Sequence, residues 1–215
     1  MLFGDSITDG RCSTRTEHGA LSGVVQKDRY QRFGDILAQR LATLPTNESK
    51  AIANEGISGN RISTAGGTGP DGLSRMDRDV LARQNVTHVV LFEGTNDIVG
   101  GADAASVIAG TQRVIDRVHA AGVKIIGVTI IPRGSAGGFR NTMERQRIAV
   151  NDWIREKANF DGIIDFAEML RGEVVPANGA EQIRPQYSCF DGVHPNDSGY
   201  DAMGKYIDLE LFWKQ

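Results

Sequence analysis

Two short stretches near opposite ends of the 215-residue chain hold residue types that could do chemistry together. The first is Gly4-Asp5-Ser6-Ile7-Thr8-Asp9-Gly10, entered from the apolar run Met1-Leu2-Phe3; the second is Asp191-Gly192-Val193-His194-Pro195-Asn196. A serine placed where a strand ends and a glycine-flanked turn begins can lift its hydroxyl above a sheet. Serine alone is a poor nucleophile, so it needs a base, and the base needs a group to orient it. Asp191 and His194, with Gly192 between them to allow a tight turn, let a carboxylate reach Nδ1–H locally and leave Nε2 for the serine. The chemistry this suits is acyl transfer. Ser6 would attack an ester carbonyl, His194 would take its proton, and Asp191 would hold the imidazole.

For those stretches to meet, the chain between them must be a sheet that gathers distant segments at one edge. His88-Val89-Val90-Leu91-Phe92 reads as a strand buried on both faces, and Val123 to Ile131 as a second one, closed by Pro132. Shorter strands are predicted at Ala51-Ile52-Ala53 and Gly162 to Phe166. Helical periodicity covers Tyr30 to Leu44, a segment from Asp71 through Leu81, Ala104 to Ala121, Thr142 to Ala158 and Ser198 to Phe212, the last capped by Asn196 or Asp197. Arg11 to Arg29 lacks apolar periodicity and reads as a long loop of the kind that meets substrate. Asn54 to Pro70 reads as a glycine-rich loop, and the stretch leading to Asp191 as long and irregular. Alternating strands and helices predict a parallel sheet covered on both faces, with ligands bound beyond the carboxyl ends of the strands.

Two further blocks leave that same edge: Asn54-Glu55-Gly56-Ile57-Ser58-Gly59-Asn60 and Gly94-Thr95-Asn96-Asp97. Together with Gly4-Asp5-Ser6 and Asp191-Gly192-Val193-His194, in this order, they resemble the four blocks of the SGNH (GDSL) hydrolase superfamily, and they span nearly the whole chain. The resemblance implies a flavodoxin-like three-layer α/β/α sandwich with a five-stranded parallel sheet of order 2-1-3-4-5. It implies a carboxylic ester hydrolase with Ser6 as nucleophile, His194 as base and Asp191 as its orienting acid. The oxyanion hole would comprise the backbone N–H groups of Ser6 and Gly59 and the side-chain amide of Asn96. Glycine at 59 suits that role because no side chain blocks approach to the developing charge, and asparagine at 96 is a neutral donor that cannot protonate the nucleophile.

Composition narrows the alternatives. A formal net charge of -3 with both signs interspersed offers neither a basic face for nucleic acid nor an acidic tail, and no apolar run approaches the ~20 residues that cross a bilayer. The length suits a single domain over residues 1–215. Only Met1-Leu2-Phe3 precede the first motif, where a strand usually runs about five or six residues, so an N-terminal segment is expected to be missing. Cys12 and Cys189 flank the two catalytic stretches; the sequence leaves open whether they form a disulfide, which would imply an oxidising compartment and secretion, or remain thiols. The sequons Asn47-Glu48-Ser49 and Asn85-Val86-Thr87 point weakly the same way.

The polar loops and the resemblance to secreted carbohydrate esterases favour an acetyl or short-chain O-acyl ester on carbohydrate, small or polymeric, as substrate. The proposed cycle requires no metal or organic cofactor. A lysophospholipase or thioesterase, a non-catalytic carbohydrate-binding module on the same fold, and a phosphate binder using the Ser6 turn as an anion cradle are the alternatives. Asp9 and Arg11 lie near enough to Ser6 to touch substrate. Asp5 and Asp97 read as organisers of local backbone, His18, His88 and His119 as surface or loop residues, and Trp153 and Trp213 as core. Oligomeric state is not legible.

Overall fold

A computed structural model describes residues 1–13, 31–45 and 49–213. Its centre is a five-stranded parallel sheet of order β2-β1-β3-β4-β5, built from β1 (Leu2–Gly4), β2 (Asn54–Gly56), β3 (His88–Phe92), β4 (Lys124–Val128) and β5 (Gly162–Ile164). Alternate strand residues face opposite ways, which is why these strands read as continuous apolar runs rather than alternating ones. Leu2, Val90, Phe92, Ile126 and Val128 point into one core. There they meet Phe33, Leu37 and Leu41 of α2 (Phe33–Ala42) and Tyr200 and Met203 of the C-terminal helix. Phe3, Val89, Leu91 and Ile125 point into the other. Its helices are α3 (Gly72–Met76), α5 (Ala104–Ala120) and α6 (Asn141–Glu156), the last two separated from α3 by α4 (Thr95–Val99).

Register decides where the loops leave. Gly4 pairs with Gly56 on one side and with Phe92 on the other, so the residues after β1, β2 and β3 start level with one another at one rim. Because β1 is flanked by β2 and β3, the chain winds in both directions from it. That reversal opens a crevice at its carboxyl end.

Several sequence-based expectations are corrected. The second strand is Asn54–Gly56, not Ala51–Ala53; the apolar triplet leads in, and Ala53 lends only its carbonyl to Leu2 N–H at 2.8 Å. This is an edge strand, half-exposed, so it lacks the apolar signature that marks β3 and β4. The helix from Asp71 is one α-turn followed by a π-turn at Asp77–Leu81. The stretch read as irregular before Asp191 contains α7 (Phe166–Leu170) and an antiparallel hairpin of β6 (Arg171–Val175) and β7 (Ala180–Ile183). Most of that hairpin is polar and partly exposed, with Ala180 and Ile183 as its buried anchors. The final helix, α8, covers Asp197–Tyr206 with Asn196 as N-cap, and a separate 3-10 turn at Leu209–Phe212 follows. The predicted long loop after Arg11 falls mostly outside the described residues, as do His18 and most of the sequon at Asn47. Among the described residues, no helix is long and apolar enough to cross a membrane.

Candidate active site

Ser6 opens α1, a single turn over Ser6–Asp9 that begins as soon as β1 ends. Asp5 is its N-cap: Oδ1 accepts the Ile7 N–H at 2.9 Å, which satisfies one of the donors a helix start leaves unpaired. The turn closes at Gly10, in the left-handed conformation, whose N–H donates to Ser6 O. Ser6 is thereby held on the first residue of a stiff turn above the sheet.

His194 reaches it from the other end of the chain. Cys189 N–H donates to His194 O at 2.8 Å and Asn196 N–H to Tyr187 O at 2.9 Å, so the two arms of the segment pair across Ser188 and Pro195. Between them the chain reverses through Gly192, which has φ +65° and lies so close to Ser135 that a Cβ would stand 2.6 Å from its carbonyl carbon. Only glycine fits there without displacing backbone. The segment is tied to the Ser6 turn by a Cys12–Cys189 disulfide, with Cα atoms 6.4 Å apart, and by Tyr200 Oη, which donates to Arg11 O at 2.9 Å. The pairing that the sequence left open is present.

The result is an unbroken polar chain. Ser6 Oγ lies 2.8 Å from His194 Nε2, and His194 Nδ1 lies 2.7 Å from Asp191 Oδ2. Asp191 Oδ1 accepts the backbone N–H groups of Val193 and His194 at 2.9 and 3.0 Å. Burial pushes the Asp191 carboxyl up, but the bonds from the His194 ring and from those backbone groups outweigh it and hold the acid well below the usual carboxylate range. Asp191 therefore stays charged beside the ring, which suits it to stabilising an imidazolium.

The remaining predicted residues also come to this rim. Gly59 has φ +81°, and Thr68 Oγ1 would lie 2.7 Å from a Cβ there. Asn96 follows Gly94, at φ +111°, in α4; its Nδ2 donates to Asn60 O at 2.9 Å and reaches Asp5 Oδ2 at 3.4 Å. Asp97 is fully buried and braces the β2 loop by accepting from Ile62 N–H and Thr64 Oγ1, both at 2.9 Å. Asp9 and Arg11 are exposed, and it is their carbonyls that are engaged, by Arg32 Nε and Tyr200 Oη. His88, expected at the surface, is instead buried at the start of β3, edge-on to Phe212. His119 pairs with Asp161, and Trp153 and Trp213 pack at the margin of the core.

Of the charged groups behind the rim, sequence reasoning named Asp5, as an organiser of local backbone, and missed Arg133 and Glu93. Asp5 is 1 % exposed, and burial raises its carboxyl to about 6 despite the Ile7 N–H and the charges of His194 and Arg133. Arg133, directly after Pro132, donates from Nη1 to Thr95 Oγ1 at 3.0 Å, and burial lowers its guanidinium from the usual value. Glu93 is buried immediately after β3, with its carboxyl pushed well up by burial first and by the Asp5 charge second. The available signal for Glu93 was positional, a charged residue directly after a buried strand, whereas Arg133 lies past the end of β4 at Val128.

Comparison with known proteins bears on the fold and the family. No curated protein sequence matches the chain. Among solved structures, the aryl esterase of M. smegmatis superposes with a TM-score of 0.69 at 18% identity, covering 95% of this chain and 93% of that one. A carbohydrate acetylesterase from Sinorhizobium meliloti gives 0.68 at 16% identity, over 94% and 93%. A GDSL-like lipase from Bacteroides thetaiotaomicron gives 0.67 at 20% identity, over 98% and 85%. At such identities these likenesses speak for the fold. The sequence model of the GDSL-like lipase/acylhydrolase family, however, matches residues 2–202, and with it the chain belongs to that family, the SGNH carboxylic ester hydrolases.

Proposed function

We propose that this esterase hydrolyses short O-acyl esters, acetyl esters of carbohydrates foremost, through a Ser6–His194–Asp191 triad. The observation that carries the reading is the continuous hydrogen-bonded chain from Ser6 Oγ through both ring nitrogens of His194 to Asp191. Ser6 Oγ attacks the ester carbonyl while Nε2 takes its proton, giving a tetrahedral oxyanion and an imidazolium paired with Asp191. The carbonyl reforms, the alcohol leaves with the proton from Nε2, and an acyl-Ser6 ester remains. Water then attacks that ester by the same route and releases the carboxylic acid.

The oxyanion meets the N–H groups of Ser6 and Gly59 and Asn96 Nδ2. One N–H of the Asn96 amide is firmly used on Asn60 O; the other makes only a 3.4 Å contact with Asp5 and is available to a substrate oxygen. Catalytic hydrogen bonds of this kind commonly tighten only when substrate is bound. The polar character of the rim loops, and a carbohydrate acetylesterase and an aryl esterase among the structural neighbours, support small acetyl or aryl esters over long acyl chains. The disulfide supports an oxidising compartment, hence secretion.

The test is a panel of p-nitrophenyl esters of increasing acyl length and of acetylated oligosaccharides, run with wild type and Ser6→Ala. Acetyl esters should show the highest kcat/KM, and Ser6→Ala should lose on the order of 10⁴-fold or more in kcat with its fold intact. Turnover near wild type in the variant would refute Ser6 as nucleophile. A preference for long acyl chains would replace the acetylesterase reading with a lysophospholipase or thioesterase.

A further inference from the structure

Behind the rim, the loops that would supply the oxyanion donors converge on one side chain that takes no part in the reaction above. Arg75 of α3 is 1 % exposed, the largest side chain so completely buried among the described residues. Its Nε donates to Asn60 Oδ1 at 2.9 Å, Nη1 to Glu55 O at 2.7 Å and Asp79 Oδ2 at 3.2 Å, and Nη2 to Gly4 O at 3.0 Å. Nη2 also stands 3.5 Å from Glu93 Oε1, and the guanidinium lies 3.8 Å over the Phe3 ring. These partners are not scattered: Gly4 precedes Asp5 and Ser6, Asn60 follows Gly59, and Glu93 precedes Gly94 and Asn96. One planar cation thus hydrogen-bonds the exits of β1 and β2 and stands beside that of β3 at the Glu93 carboxyl.

Asn60 is the joint between this cation and the site. Its Oδ1 takes the Arg75 Nε–H, its Nδ2 holds Thr68 O and Pro70 O at 2.8 and 2.9 Å, and its own carbonyl accepts Asn96 Nδ2. We infer that Arg75 is a positioning residue for the oxyanion hole, setting the N–H groups of Ser6 and Gly59 and the Asn96 amide at one mutual spacing. The inference rests on the donor assignment proposed above. Donors serve a tetrahedral intermediate only within a few tenths of an ångström of the right place, and a misplacement of about 1 Å can cost ~10²-fold. Lysine cannot substitute, because a compact ammonium with three donors cannot reproduce a rigid five-donor fork reaching several carbonyls in one plane.

The experiment measures kcat and KM for Arg75→Lys and Asn60→Ala, with competent sites counted by stoichiometric Ser6 phosphonylation at its endpoint. Per competent site, Arg75→Lys should lose on the order of 10²-fold in kcat with KM little changed, and Asn60→Ala about tenfold. In an Asn96→Ala background the Arg75→Lys loss should shrink to about tenfold, because one of the groups it aligns is already gone. Unchanged kcat per competent site in either variant, a change confined to KM, or fully additive losses would overturn the inference. Asn60→Ala keeps the test decisive if Arg75→Lys does not fold. Residual turnover in Ser6→Ala would instead defeat the underlying reading, whereas an inactive Ser6→Ala beside an unaffected Arg75→Lys defeats only the role of Arg75.

Discussion

The nucleophile side and the base side of the site are immobilised by different means. Ser6, Gly59 and Asn96 follow three neighbouring parallel strands whose ends are level at Gly4, Gly56 and Phe92, and Arg75 ties the first two of those exits together from beneath. His194 and Asp191 belong to no strand of that sheet. They depend on a disulfide, a bridge between Ser188 and Pro195, and the Tyr200 hydroxyl on Arg11 O. The proposed oxyanion donors are brought level by strand register, with Arg75 as one buried cation behind them. A base carried on a loop keeps conformational freedom that must be removed locally, by short hydrogen bonds and by a cross-link.

If this contrast is right, the hydrogen bonds on the base side should matter most to rate. Asp191→Asn should lower kcat on the order of 10⁴-fold at neutral pH, because an amide that donates to Nδ1 favours the wrong ring tautomer and leaves the imidazolium without its charge partner. The same variant reports through stability. The folded-state acid is held below its unfolded value, so its stabilising contribution is fully present above the ordinary carboxylate pKa of about 3.9 and is lost as pH falls through the folded value. Denaturation midpoints of wild type and variant, followed against pH, should differ by a constant amount near neutrality and converge in strong acid. A gap that instead widened on acidification would contradict the charged assignment.

On the nucleophile side, Asn96→Ala should cost on the order of 10²- to 10³-fold in kcat with little change in KM. Steady-state kinetics check this, and an effect on KM alone would remove Asn96 from the oxyanion hole. The mildest catalytic effect should come from the covalent link. Cys12→Ser with Cys189→Ser should lower stability by roughly 2–4 kcal/mol, read by chemical denaturation, while kcat falls only severalfold, since the Ser188–Pro195 bridge and Tyr200 still hold His194. A loss as deep as that of Asp191→Asn would mean that the cross-link, rather than the hydrogen bonds, places the imidazole.

Legibility in sequence followed the same division. The central strands His88–Phe92 and Lys124–Val128 were readable because burial on both faces leaves an unmistakable apolar run. The edge strand was not, because it is half-exposed and pairs with a strand distant in sequence, and the hairpin before Asp191 was not, because its residues are mostly polar and carry no apolar alternation. Asp191 and His194 could be paired by spacing alone, since the carboxylate reaches its own loop. Arg75, Glu93 and Arg133 escaped notice because charged residues in sequence look solvated until the fold closes over them.

What the amino-acid sequence determined by itself is therefore the alternation of strands and helices, the order of the four motif blocks, and the residue types able to transfer a proton across a serine. These are encoded in short-range periodicity and local spacing. Only the tertiary structure decided that Cys12 pairs with Cys189, that Asn96 turns toward Asn60 and Asp5, and that a single buried guanidinium spans three strand exits. Each of those depends on which distant carbonyls, thiols and carboxylates surround a side chain after folding, and no local spacing carries that information.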